Sequence, residues 1–310
     1  MKKIIILCIF VIPGLLSFAQ KKQVCFSFDD LPFVSYGITD TTFRKAVVNK
    51  LVMSLKHNNI PAIGFVNENK LYNNDKINTF QVELLKCWIE NGLELGNHTY
   101  SHPDYNLVSL KKYSLDIIRG ESVTKELLAG KGKVLEYFRH PFLHVGNTRG
   151  KADSLESFLL QRGYKVAPVT IDNEDYLFAS AYNKARIKND TSLMRSIGRD
   201  YIDYMEKKVK YFEKQANILF GRDISQILLV HSSLLNSDYA DSLAAMFRRN
   251  NYEFISMDKA LEDEVYKTPV SVYGKWGISW LDRWALSMGK KGDFFRDDPV
   301  TPEYITKLSE

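Results

Sequence analysis

Short apolar runs alternate with longer amphipathic segments along this chain, and this alternation limits its possible folds more than any other feature. The apolar runs have the length of buried strands, and the segments between them have the spacing of helices. The predicted strands are 24–28, 62–66, 93–96, 137–138, 165–171, 227–230 and 252–256. The predicted helices are 42–57, 78–90, 109–129, 152–161, 192–220 and 238–249. A strand followed by a helix, repeated about seven times, is typical of parallel βα units.

Stop signals stand between several of these helices and the next strand. Asparagine and glycine are common there because both tolerate the left-handed backbone that ends a helix. The signals are Asn58-Asn59, Asn91-Gly92, Gly163 and Asn250-Asn251. A doubly wound sheet and a barrel both fit this order, and the count of strands favours the barrel. We therefore predict an α/β fold, a distorted (β/α) barrel of about seven parallel strands.

The N-terminal residues have the pattern of an export signal. Lys2 and Lys3 precede an apolar stretch at 4–16, and small residues flank Phe18. The stretch is too short to span a bilayer comfortably, so a cleaved signal peptide over 1–19 is predicted, with an uncleaved anchor as the alternative. No second apolar span follows in the sequence. We expect an exported protein, periplasmic or extracellular, that is not stably inserted in the membrane after cleavage.

The alternation of strands and helices ends near Glu264. We expect 20–264 to form the barrel domain and 265–310 to form a C-terminal extension packed on it. Three tryptophans in this extension are spaced by four residues, which predicts one helical face: Trp276, Trp280 and Trp284. The three rings are interpreted either as an anchoring stripe or as a platform for stacking on sugars.

Composition excludes several classes of protein. The hydrophobic fraction of 45% and the charged fraction of 25% are those of a globular protein rather than a disordered one. The net charge of +5 comes without a long run of one sign, which argues against a nucleic-acid partner. The chain has only three cysteines, too few for a disulfide-stapled scaffold or a thiolate zinc site.

Polar residues that could do chemistry stand where predicted strands end. In a parallel barrel the carboxyl ends of all strands meet at one rim, where ligands bind, so these side chains are expected to converge. They are Asp29 and Asp30 after the first strand, His98 and His102 after the third, Arg139 at the end of the fourth, Asp172 and Asp175 after the fifth, and His231 at the end of the sixth.

His98 and His102 are four residues apart and can share one metal ion if the segment forms a helical turn, which Pro103 would limit to about that turn. Two imidazoles and one carboxylate of the Asp29-Asp30 pair suit a single divalent ion, with Zn²⁺ favoured. The other carboxylate of the pair can then serve as a base. The predicted site is a hydrolytic one with open positions for water and substrate.

The sequence resembles the polysaccharide deacetylases with the NodB homology domain, the fourth family of carbohydrate esterases. Five short motifs carry the resemblance, in the order that the family has them. They are Ser27-Phe28-Asp29-Asp30, His98-Thr99-Tyr100-Ser101-His102, Arg139-His140-Pro141-Phe142, the stretch from Asp172 to Tyr176, and Leu229-Val230-His231. Departures from the family pattern are Leu31-Pro32 in place of a glycine, His140 in place of a small or apolar residue, and Tyr176 in place of tryptophan.

The resemblance implies a role for each of these polar residues. It assigns the metal to Asp30, His98 and His102. It makes Asp29 the general base, tethered by Arg139. It makes His231 the general acid, oriented by Asp172. Separately, aromatic rings in the strand-end loops could stack on sugar rings, and we expect Phe142, Tyr176 and Tyr100 to contact substrate.

The resemblance implies a secreted, metal-dependent hydrolase that removes N-acetyl groups from a polymer containing N-acetylglucosamine, such as peptidoglycan or a chitin-like chain. One alternative is an O-deacetylase of acetylated xylan. A second is a carbohydrate-binding protein of the same fold without turnover, against which the intact aspartates and histidines argue. A third is an unrelated metallohydrolase such as a phosphoesterase, which would normally have more metal ligands and more basic residues.

Overall fold

A computed structural model describes residues 21–310, and this range contains nine strands. Seven of the strands form one parallel sheet in the order β7-β6-β5-β2-β1-β8, with β9 paired to β1, and the other two form an antiparallel hairpin. Each of the seven predicted strands has a counterpart in this sheet, but the one predicted over 165–171 is shorter and covers only Lys165–Val166. The strands are β1 (Lys22–Leu31), β2 (Ile63–Val66), β3 (Tyr72–Asn73), β4 (Lys76–Ile77), β5 (Glu94–Asn97), β6 (Tyr137–Phe138), β7 (Lys165–Val166), β8 (Ser225–His231) and β9 (Tyr252–Phe254).

The sheet closes into a barrel through the residues that follow β7. The N–H of Ala167 donates to the Phe138 carbonyl of β6 at 2.8 Å, and four residues later Ile171 pairs with Leu228 of β8. One segment thus joins the two ends of the sheet. The predicted distorted (β/α) barrel is confirmed, and this closure distinguishes it from an open doubly wound sheet.

Eleven α-helices lie in residues 21–310 and cover the outside of the sheet. Side chains at their starts, such as Asp40 and Ser233, accept hydrogen bonds from the first-turn N–H groups. The predicted stops hold, since Asn59, Gly92 and Gly163 have positive φ angles. The helices are α1 (Thr41–His57), α2 (Thr79–Glu90), α3 (Leu110–Arg119), α4 (Ser122–Ala129), α5 (Arg149–Gln161), α6 (Asp175–Ile187), α7 (Thr191–Phe220), α8 (Leu234–Arg249), α9 (Met257–Leu261), α10 (Trp280–Ser287) and α11 (Glu303–Ser309).

Several helices differ from the prediction, and the short helices α9 and α11 were not predicted. The single helix predicted over 109–129 is two helices, α3 and α4, which break at Gly120. Helix α6 was not predicted at all. It packs against α7, α8 and α11, so apolar residues occur on several sides and the sequence lacks the single stripe of a surface helix.

Residues 265–310, the C-terminal segment, pack on the barrel through buried side chains that include Leu281, Trp284 and Ile305. The three tryptophans do not share one helical face. Trp280 and Trp284 lie on α10, whereas Trp276 precedes the helix and is 44% exposed. The ring of Trp284 is buried against Phe220 and Tyr266, so this member of the set anchors the segment.

Between residues 21 and 310, no helix is both long enough and apolar enough to cross a bilayer. The predicted signal peptide lies outside the described residues.

Candidate active site

An irregularity at the end of β1 brings two neighbouring carboxylates to the same place. Phe28 pairs with Gly64 and Leu31 with Val66, so two residues of β1 stand against one of β2. Successive strand residues normally face opposite sides, and a bulge of this kind re-aims them. Asp30 takes a φ of 64° here. As a result, Asp29 Oδ2 and Asp30 Oδ1 each lie 3.8 Å from His98 Nε2.

The two histidines of the second motif face Asp30. Asp30, His98 and His102 each offer one ligand atom, and these three atoms lie within 4.8 Å of one another. His102 Nε2 is 3.8 Å from Asp30 Oδ1. His98 Nδ1 is 2.9 Å from the Arg139 carbonyl, which fixes the ring and leaves Nε2 for a metal. The segment is not the predicted helical turn, because Thr99 and His102 have φ angles of 66° and 55°.

These three side chains fit a divalent metal ion. Within the described residues, Asp30 Oδ1 is buried and accepts no hydrogen bond. Burial lowers the pKa of both His98 and His102 to about 4, so both imidazoles are neutral at pH 7 and have lone pairs to donate. One carboxylate and two neutral imidazoles form the donor set that Zn²⁺ and similar ions take in hydrolases with open coordination positions.

Lys70 belongs to this site and was missed in the sequence. It lies in a short 3₁₀ helix after β2, and its Nζ donates to the Asp30 carbonyl at 2.7 Å and lies 3.9 Å from Asp30 Oδ1. Burial alone would raise the pKa of Asp30, but the positive charges of Lys70 and His231 hold that pKa below its usual value. The sequence did contain a signal for Lys70, because this residue comes just after the second predicted strand and so at the same rim.

The predicted ion pair between Arg139 and Asp29 is present. Arg139 is fully buried, and its Nη1 lies 3.3 Å from Asp29 Oδ1. The other guanidinium nitrogens donate to Ser27 Oγ and to the Ala167 carbonyl, both at 2.8 Å. The guanidinium is therefore fixed on three sides and orients Asp29. Burial raises the pKa of Asp29, and the charge of Arg139 opposes this effect.

The partner of His231 differs from the prediction. Asp175, not Asp172, faces the ring, with Oδ1 at 2.7 Å from His231 Nδ1. Asp175 is fully buried, and its Oδ2 accepts hydrogen bonds from the His231 N–H and from Asn236 Nδ2. Burial alone would lower the pKa of His231, but the Asp175 carboxylate raises it to about 9. His231 therefore carries a proton at neutral pH.

The loop between the barrel and α6 explains why Asp175 rather than Asp172 faces His231. Asn173 Nδ2 donates to the Leu229 carbonyl of β8 at 2.6 Å, and Asn173 Oδ1 accepts from the Asp175 N–H. This pair of bonds places Asp175, the first residue of α6, beside His231. Asp172 instead lines the cleft, and burial raises its pKa to about 7, which the charge of Lys208 opposes.

Six of these residues line one cleft of about 640 Å³: Asp29, Asp30, His98, His102, Asp172 and His231. Phe142 and Tyr176 also line it and are 53% and 45% exposed, so both rings are accessible from the cleft. Tyr100 does not line the cleft, because its ring packs under the Arg119 guanidinium at 3.8 Å. Tyr36 and His144 were not predicted to belong to the site, yet both line it.

The rim of this cleft concentrates unusual backbone conformations. A non-glycine residue at positive φ costs of order 1–3 kcal/mol and persists only where the surrounding structure enforces it. Such residues often mark functional sites, and six occur at or beside this cleft: Asp30, Tyr36, Thr99, His102, Phe142 and Leu143. The arrangement places a carboxylate (Asp29) and an imidazole with a raised pKa (His231) beside three side chains that could hold a metal ion, a combination suited to the hydrolysis of an acyl bond.

Comparisons with known proteins bear on the family and on the fold. The polysaccharide deacetylase family model matches residues 18–155. Among solved structures, the peptidoglycan deacetylase PdaC from Bacillus subtilis is 19% identical, with 80% of this chain and 93% of that chain covered and a TM-score of 0.50. A peptidoglycan N-acetylglucosamine deacetylase, Bc1960, is 18% identical, with 77% and 88% covered and a TM-score of 0.50.

A family 4 carbohydrate esterase pseudoenzyme from Bacillus anthracis is 16% identical, with 78% of this chain and 66% of that chain covered and a TM-score of 0.47. No curated protein matches the chain significantly. PdaC and Bc1960 share the fold of this chain. The family match includes Asp29, Asp30, His98, His102 and Arg139, while His231 and Asp175 lie beyond it. The resemblance to the polysaccharide deacetylase family is thus confirmed over residues 18–155.

Proposed function

We propose that the protein is a metal-dependent hydrolase that removes N-acetyl groups from a carbohydrate polymer containing N-acetylglucosamine. One observation carries the proposal. A metal donor set (Asp30, His98, His102), a tethered carboxylate (Asp29) and a protonated histidine (His231) face the same open cleft. The metal is proposed to be Zn²⁺, because the donors are two imidazoles and one carboxylate.

A divalent metal, when bound, supplies Lewis acidity that polarises an acyl carbonyl and acidifies water. The protein provides the proton transfers. A water molecule attacks the acetyl carbonyl, and Asp29 accepts the proton that this water loses. Arg139 keeps the Asp29 carboxylate in one orientation. Burial raises the pKa of Asp29 and so makes it a stronger base than an exposed aspartate. The backbone N–H of Phe142 is proposed to contact the developing oxyanion.

His231 supplies the proton that the leaving amine needs. An amide nitrogen is a poor leaving group unless it is protonated as the C–N bond breaks, so a positioned acid matters more for an N-acetyl group than for an ester. Asp175 keeps the imidazole charged at neutral pH and accepts a hydrogen bond from its Nδ1–H. The Nε2–H is then left to face the substrate.

The substrate class rests on the cleft and on the relatives. Phe142 and Tyr176 offer exposed ring faces at the cleft, suited to stacking on sugars. Two of the similar structures named above, PdaC and Bc1960, are peptidoglycan deacetylases, which supports an N-acetylglucosamine polymer as the substrate. Peptidoglycan lies outside the cytoplasmic membrane, so the proposal includes export of the protein.

Acetate release from chitin oligomers, peptidoglycan and acetylated xylan, with and without chelator, tests the proposal. We expect release from an N-acetylated polymer that chelator abolishes and added Zn²⁺ restores. Release from acetylxylan alone would make the protein an O-deacetylase. Binding of these polymers without release of acetate would leave only the carbohydrate-binding alternative.

A further inference from the structure

The C-terminal segment reaches the cleft at Gly277, which lies against the turn that carries Phe142. A Cβ atom on Gly277 would lie 2.0 Å from the Phe142 carbonyl oxygen, so only glycine allows this approach. The segment was expected to be an extension packed on the barrel. It also forms part of the cleft wall, next to a turn that the proposed function uses.

Arg283, on α10, joins the same two pieces of chain. Its Nη2 donates to the Leu143 carbonyl at 2.7 Å and to the Trp276 carbonyl at 3.1 Å. Arg283 is 1% exposed, and within residues 21–310 only its Nη2 has hydrogen-bond partners, since Nε and Nη1 are buried without any. A buried guanidinium has lost its hydration and so depends strongly on the few hydrogen bonds that it makes. Its donation to these two carbonyls therefore fixes the turn relative to the C-terminal segment.

Further contacts of α10 reach the same part of the barrel. The Trp280 N–H donates to the Val169 carbonyl at 2.7 Å, in the segment that closes the sheet. The Trp280 ring stacks on His140 with a centroid distance of 6.3 Å and an angle of 29°. His140 is one of the departures from the family pattern, and this stacking gives that residue a partner outside the region matched by the family model.

The turn that these contacts hold is strained. Phe142 and Leu143 have φ angles of 55° and 54°, in the left-handed region that bulky residues rarely adopt. Such a conformation persists only when neighbouring structure enforces it. The Phe142 ring also packs on His102 with a centroid distance of 4.4 Å, so the position of the turn is coupled to a metal donor.

We infer that Gly277 and Arg283 are positioning residues for the reaction, because they hold the Phe142–Leu143 turn in its strained, productive conformation. The inference deepens the proposed function and rests on it. The proposed oxyanion contact and one aromatic wall both belong to this turn, so a displacement of about 1 Å there should reduce turnover by up to roughly a hundredfold. The effect should fall on kcat more than on KM.

Gly277→Ala and Arg283→Met test the inference, with Gly150→Ala as the matched control because a Cβ there would meet nothing within 4 Å. Hydrogen exchange of the backbone amides at 140–146 is followed in the full-length protein, together with bound Zn²⁺, kcat and KM. We expect faster exchange confined to this turn and a kcat lower by roughly ten- to a hundredfold, with Zn²⁺ retained. Arg283→Lys, which can still donate to a carbonyl, should recover part of the loss.

Unchanged exchange at 140–146 in both variants would overturn the inference. Faster exchange over the whole barrel would also overturn it, because both residues would then be structural only. Faster exchange of the turn with normal kcat would remove its link to the reaction. If the unmodified protein releases no acetate, the proposed function fails, while the exchange data still decide whether these residues hold the turn.

Discussion

Two opposing effects act on the pKa of Asp29. Burial favours the neutral acid, and Arg139 at 3.3 Å favours the carboxylate. Asparagine at this position keeps the shape and loses the ability to accept a proton. We expect Asp29→Asn to lose roughly 10²–10⁴ in kcat, the usual contribution of a positioned base. Elemental analysis should find the same metal content as in the unmodified protein, since Asp29 is not assigned to the metal. Near-normal turnover would mean that another group is the base.

His231 distinguishes amide from ester chemistry. An alkoxide leaves a tetrahedral intermediate with modest help, whereas an amine must be protonated as it leaves. We expect His231→Ala to lose roughly 10²–10⁴ in kcat/KM on an N-acetyl sugar and clearly less on an activated aryl acetate. Parallel assays of the two substrates measure this difference. Equal losses on both would assign His231 to metal binding or to the shape of the cleft.

The pH dependence of turnover separates Asp175 from Asp172. Asp175 raises the pKa of His231 to about 9, so the acid stays protonated through neutral pH and is lost as the pH rises through that value. We expect the alkaline limb of kcat/KM near pH 9 in the unmodified protein. In Asp175→Asn this limb should move down toward 6.5, the ordinary histidine value. Asp172→Asn is the control, since Asp172 does not contact the ring. An identical shift in both variants would contradict the pairing in the structure.

Among the secondary-structure elements, the join between α3 and α4 has the most direct consequence for the metal. A Cβ on Gly120 would lie 2.6 Å from the Thr99 carbonyl carbon, inside the loop that connects His98 and His102. We expect Gly120→Ala to displace this loop and weaken Zn²⁺ binding by about 10- to 100-fold, as for other residues that support metal ligands. Isothermal titration with Zn²⁺ measures the change.

Gly130→Ala provides the control for Gly120. It also ends a helix, but a Cβ there would be 3.5 Å from its nearest neighbour, an ordinary contact. Its affinity for Zn²⁺ should stay within error of the unmodified protein. Equal affinities in the two variants would show that the loop does not depend on this close approach.

The elements of the fold were predictable to different degrees. Strands such as β8 are buried along most of their length, and their apolar runs are visible in the sequence. Helix α6 was invisible because burial on several sides removes its stripe, and Glu174 at its start makes no capping hydrogen bond. Of the site, the residue types at the strand ends were readable. The choice between Asp172 and Asp175 was not, because it depends on Asn173 binding to β8.

The backbone geometry of the site could not be predicted from the sequence either. The pairing of Asp29 and Asp30 on one ring depends on a bulge in β1, and residue order alone places neighbouring side chains on opposite faces. The contribution of Gly277 depends on contacts between segments more than a hundred residues apart. Both features arise from packing between distant elements, which local patterns do not encode.

For the whole molecule, metal binding should stabilise the fold. An ion that binds only the folded state at about 100 times its Kd contributes about 2.7 kcal/mol. We expect Zn²⁺ at that excess to raise Tm, as measured by calorimetry. The double variant His98→Ala/His102→Ala should show no rise and no bound metal. His57→Ala, an exposed histidine outside the cleft, should behave like the unmodified protein. A full Zn²⁺-dependent rise in the double variant would exclude these ligands.

The closure of the barrel affects the groups of the site to different degrees. The residues around the metal donors follow β1 and β5, and His231 ends β8, whose pairing with β1 sets it opposite Asp29. Asp175 is different, because it follows the segment that joins the two ends of the sheet. An open sheet would therefore keep the metal donors and His231 side by side but would leave the His231 ring without its carboxylate partner. Metal binding alone would not reveal such an opening, whereas a fall in the pKa of His231 would.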